Sequence, residues 1–171
     1  MTGLSSLENV VRVIFPSTMM REGELLPAAF KLREREGETE TYISVFRQYA
    51  DTFASDITIF DRERNLPCAI LNVGEVHSAS LSVEANEVKY CVQAFPTTTY
   101  KSHAGIVINI AGIPIEGSGI KAFTSLGIGE YTQFHMLAIR RHLVEIAKKR
   151  LSTVKGLLPQ DATDIKTPDK D

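Results

Sequence analysis

Cysteine is scarce in this chain of 171 residues: Cys68 and Cys91 are its whole complement. They stand in different candidate elements and in no CxxC pair. They therefore read as cross-strand neighbours or small core residues rather than as a metal cluster or a disulfide framework. Long apolar runs are also missing, since no stretch reaches the roughly 18 residues that a bilayer span requires. The opening residues lack the basic flank and continuous apolar core of a secretory leader, so the expectation is a cytoplasmic protein without a membrane segment. No charge sign dominates. Lys and Arg total 19 against 21 Asp and Glu, and a net charge of -2 supplies no global attraction for nucleic acid.

Several chemical signatures are absent as well. There is no GxxxxGK[ST], dinucleotide fingerprint, HExxH cassette or GxSxG elbow, which argues against a conventional nucleotide triphosphatase, Rossmann dehydrogenase, zinc protease or α/β-hydrolase. No cofactor or metal is implied. What remains, 43% hydrophobic and 23% charged, suits a single domain over residues 1–158 followed by a polar tail at 159–171.

The run from Val10 to Phe15, VVRVIF, favours a strand and stops at Pro16. Residues 19–41 mix an apolar patch around Leu25, Leu26, Ala29 and Phe30 with the charged series Lys31 to Glu38. Pro27 suits the first turn of a short helix and Gly37 a turn, and the charged part reads as a solvated arm. From Ser44, the spacing of Val45, Phe46, Tyr49 and Phe53 predicts a short amphipathic helix over 44–54. Ile57 and Ile59 then suggest a brief strand before the turn at 61–67.

Further strands are expected near 69–76, 80–84 and 88–95, and most clearly at Ala104 to Ala111, AGIVINIA. The glycine-rich segment 112–129 predicts a flexible loop, a candidate for recognition. A long amphipathic helix is expected over 130–151. Phe134, Leu137, Ile139 and Leu143 should lie on its packed side, Arg140, Arg141, Lys148, Lys149 and Arg150 in solvent, with Glu145 pairing Arg141 or Lys149.

Histidines carry what catalytic potential the chain offers. His103 precedes the clearest strand, where an imidazole can be fixed by the sheet and still reach a cleft, with Tyr100 and Ser102 close by in sequence. Glu75 and His77 share one face if their strand continues through both, so the carboxylate would orient the ring. His77 and His103 could also meet across strands with Glu75, Glu84 or Glu87, a dispersed and weak metal alternative. His135 and His142, two helical turns apart, lack a third ligand.

In Gly23-x-Leu25-x-x-x-Ala29-Phe30, Ser44-Val45 and His103-Ala-Gly-Ile106, the chain resembles a loose group of uncharacterised small bacterial proteins with AF, SV and HA-hydrophobic segments. The likeness spans residues 10–110. It implies a bacterial accessory protein and assigns no activity to His103.

Together these readings predict an α+β fold: a small, largely antiparallel sheet packed by a short helix and a long C-terminal amphipathic helix. The leading expectation for function is protein recognition, using the arm at 31–42 and the loop at 112–129. The alternative is a small hydrolase or transferase acting on a phosphate-containing or acyl substrate, with His103 as general acid/base and His77 and Glu75 in support. A nucleic-acid module ranks below both.

Overall fold

Strand-favouring residues at alternating positions build the framework, seen in a computed structural model that describes residues 3–159. The first part holds β1 (Asn9–Val13), α1 (Pro16–Met19), a hairpin of β2 (Met20–Arg21) and β3 (Glu24–Leu25), and a 3-10 turn at Pro27–Phe30. A second hairpin, β4 (Glu34–Arg35) with β5 (Glu38–Thr39), leads into β6 (Ile43–Arg47). Next come α2 (Phe53–Asp61), β7 (Pro67–Asn72), α3 (Val73–Ser78), β8 (Ser80–Val83) and β9 (Asn86–Ala94). The chain continues through β10 (His103–Ile110), β11 (Ile113–Pro114), α4 (Ile120–Ser125), α5 (Thr132–Ala147), β12 (Leu151–Thr153) and α6 (Val154–Leu157).

The main sheet is antiparallel and curled into a half-barrel, in the order β12-β7-β1-β6-β10-β9-β8, with β11 beside β10. Both its faces are covered. On one, Val10, Val45, Leu71, Ile106 and Ile108 pack with Met136, Ile139 and Leu143 of α5. On the other, Val11, Val13, Phe46 and Cys68 meet Phe53 and Ile57 of α2 and Val154 of α6. Full burial of each such aliphatic or aromatic side chain contributes about 1.5–3 kcal/mol, so alternation in sequence becomes a two-sided core. The Tyr90 hydroxyl fixes sheet to helix by donating to the Ile139 carbonyl at 3.0 Å.

One glycine is required by packing. Tyr42 stacks on Phe95 with ring centroids 4.3 Å apart, and a Cβ at Gly105 would collide with the Tyr42 ring.

The α+β architecture and the strands at 10, 69, 80, 88 and 104 agree with the sequence pattern, but five local expectations do not. No helix begins at Ser44. Ile43 and Val45 are β-branched and share one face of β6, and Phe46 turns to the other, so period two prevails over the aromatic spacing. The helix starts only at Phe53 and takes in Ile57 and Ile59, which form no strand. Glu75 and His77 lie on α3, where Asn72 Oδ1 accepts from the Glu75 amide at 3.0 Å and caps a helix in place of a continuing strand. The segment 112–129 contains α4, and α5 ends at Ala147, leaving Leu151 exposed in β12. The expected tail lies outside the described residues except for Pro159.

Candidate functional site

Lys31-Leu-Arg33-Glu-Arg35 alternates cation with other residues along an extended segment. In the fold this segment forms one wall of an open groove of about 850 Å³. Arg12 and Met19 line it from the sheet side, Ser118 from the glycine-rich loop, and Gln133, Met136, Leu137 and Arg140 from α5. The arm and loop singled out in the sequence therefore border the same concavity. Gly119 lets them close on it. Its φ of +78° is left-handed, and a Cβ there would stand 2.8 Å from Met136 Sδ, so the loop approaches α5 only because that side chain is absent.

Five cations, Arg12, Lys31, Arg33, Arg35 and Arg140, face the groove against the single carboxylate of Glu34. Among the described residues, none of the five joins an ion pair; the pairs run elsewhere, such as Arg47 with Glu8 and Lys149 with Glu75. Glu40 Oε2 accepts from the Arg33 amide at 2.7 Å and so serves the backbone of the arm.

Arg12 is held where β1 parts from β6. Their ladder lasts for Val10 with Arg47 and Val11 with Phe46, and beyond it the guanidinium takes the place of a strand. Its Nη1 donates to the Ser44 carbonyl at 2.8 Å and its Nε to the Ala29 carbonyl at 3.0 Å. Burial lowers its pKa to about 10; Glu40 works against the shift and Arg33 adds to it. Arg140 is lowered too, by burial, and its Nε is buried without a hydrogen-bond partner among the described residues. A guanidinium held in this way gains from a bound anion more than an exposed one does. The sequence placed Arg140 in solvent, and the structure corrects that: its position on α5, between Met136 and Leu143, turns it into the groove wall.

His103 lines a second, smaller cavity of about 230 Å³ with Phe15, Phe46, Phe60 and Tyr100, and Arg12 borders it as well as the groove. Its Nδ1 lies 2.8 Å from the Phe95 carbonyl and can only donate there, which leaves Nε2 as the acceptor of the neutral ring. Ser102 cannot join it as a nucleophile. Its hydroxyl and amide both donate to Asp56 Oδ2, at 2.6 and 2.9 Å, beside Thr52 Oγ1 at 2.9 Å. Burial pushes the Asp56 carboxyl up, yet these hydrogen bonds and the nearby Lys101 prevail and hold it below its ordinary range.

Glu75 and His77 do not support His103. His77 Nε2 accepts from the Val92 amide at 2.9 Å at the margin of β9, and Glu75 reaches Lys149 at 3.4 Å and Arg150 at 3.7 Å. Neither borders the His103 cavity. Glu145 pairs with Lys148, leaving Lys149 for Glu75. No three His, Cys, Asp or Glu converge among the described residues, so the dispersed metal alternative does not assemble. His135 meets Glu84 at 3.3 Å and His142 packs near Tyr90. Cys68 and Cys91 are free.

Among the described residues no helix is long and apolar enough to cross a membrane. Comparison of the chain with family models, curated proteins and solved structures finds no match.

Proposed function

We propose that this protein is a recognition subunit that takes an acidic segment of a protein partner into the groove between the arm, the glycine-rich loop and α5. The observation that carries this reading is the gathering of five cations, Arg140 among them, around one groove against the single carboxylate of Glu34, with no ion pair to any of the five among the described residues. Arg12, Lys31, Arg33 and Arg35 add charge of the same sign beside Arg140, so a carboxylate-bearing ligand would meet cationic side chains that no ion pair neutralises among the described residues. A bacterial accessory protein working in the cytoplasm fits the resemblance noted in the sequence. The test is titration of a fluorescent oligoglutamate peptide, with Arg33→Gln/Arg140→Gln expected to weaken binding about tenfold or more. Equal binding by that variant would defeat the reading.

A second reading rests on His103, whose ring is oriented by Phe95 and which lines a cavity. It makes His103 a general base toward a small acyl or phosphate-containing substrate, without Glu75 or His77. Hydrolysis of p-nitrophenyl acetate or phosphate that disappears in a folded His103→Gln variant would favour it; equal turnover would remove it.

A further inference from the structure

Phe134 belongs by spacing to the packed side of α5, yet it is 72% exposed. Tyr131 is 67% exposed and Ile120 59% exposed, and the three line one concavity of about 490 Å³ beside α4. Three large apolar side chains on one surface form a patch of the kind that marks an interaction site. Gln133 borders this concavity and the cationic groove alike, so the two surfaces are continuous.

The backbone here also departs from local preference. Tyr131 occupies the N-cap of α5 at φ +60°, left-handed for a non-glycine residue, and makes no side-chain cap hydrogen bond. Asn or Asp would cap the helix and tolerate that backbone better. An aromatic kept there against these preferences, with its ring in solvent, points to a role outside the fold.

We infer that the partner segment carries apolar anchor residues beside its acidic run, and that those anchors seat on Ile120, Tyr131 and Phe134 while the carboxylates face the groove. This rests on the recognition reading and adds the partner's sequence order. Charge and lining chemistry select this occupant. The groove wall interleaves its cations with Met19, Leu32, Met136 and Leu137, and methionine adapts to apolar side chains of varied shape. A second copy docked symmetrically would bring two cationic grooves together, an arrangement disfavoured by like charge.

The experiment is selection from a displayed library of random short peptides on the full chain, followed by fluorescence anisotropy of the enriched peptide, an oligoglutamate peptide and oligo(dT). Enrichment of Asp and Glu next to Phe, Leu, Trp or Met is expected. Phe134→Ser, a change at an exposed position, should then weaken the enriched peptide about tenfold and leave oligoglutamate binding unchanged. Acidic peptides without anchors, bound equally by Phe134→Ser, would overturn this inference and leave the groove reading standing. No enrichment of acidic residues, together with no oligoglutamate binding, would remove both. Oligo(dT) bound more tightly than either peptide and sensitive to Phe134→Ser would overturn the inference in favour of a nucleic-acid surface.

Discussion

Asp56 shows how a buried charge is kept in this protein. Its carboxylate is held by Ser102 and Thr52, joining the start of α2 to the residue before β10. Because the folded-state pKa lies below the ordinary value of 3.8, its contribution to stability is present above that pH and is lost as pH falls through the folded value. Ser102→Ala removes one of the holding bonds, so it should cost about 1–3 kcal/mol in urea unfolding at neutral pH. It should also move the acid-unfolding midpoint upward. Gly105→Ala should cost a similar ~1–3 kcal/mol, since its Cβ must displace the Tyr42 ring from Phe95. Burial, with Asp61 nearby, pushes the Cys68 thiol up to about 12, so Cys68 should stay unmodified by thiol reagents while the half-buried Cys91 reacts first. At this scale the sequence is partly readable. His103 sits where its place before AGIVINIA predicts, but its Phe95 partner joins it only through the loop that closes between β9 and β10.

Among the elements, β10 and α5 were legible because each repeats one period over many residues: Ile106, Ile108 and Ile110 at period two, and Ile139 and Leu143 at helical spacing, although the same spacing put the exposed Phe134 on the packed side and overlooked the buried Met136. The stretch around Ser44 was not. Val45, Phe46, Tyr49 and Phe53 satisfy helical spacing by coincidence, although the first two belong to β6 and Phe53 opens α2. Glu75 and His77 misled for a related reason, since the cap supplied by Asn72 turns the chain into α3 directly after β7. The glycine-rich segment mattered less for flexibility than for close approach. At Gly119, an alanine must adopt left-handed backbone and press on Met136, so Gly119→Ala should lower thermal stability and weaken oligoglutamate binding together. Stability loss with unchanged binding would separate the loop from the groove.

For the whole molecule, the near balance of charge concealed what matters most. A net charge of -2 argues against polyanion affinity, but it averages over a surface on which Arg12, Lys31, Arg33, Arg35 and Arg140 converge from sequence positions far apart. Composition cannot report that convergence. The alternation of Lys31, Arg33 and Arg35 was the available signal, and Arg12 and Arg140 could be added only by the fold. If charge drives recognition, oligoglutamate affinity should fall steeply as salt is raised, because groove charges that face solvent are screened within about 8 Å at physiological ionic strength. Salt-independent binding would point to the apolar lining instead.

The most direct measurement is a titration of oligoglutamate followed by NMR of the arginine side-chain Nε–H groups and the backbone amides. Binding in the groove should shift the side-chain Nε–H signals of Arg33, Arg35 and Arg140, with the amides of residues 31–35 and 133–140 moving beside them. Shifts confined to the surroundings of His103, or none at all, would contradict it.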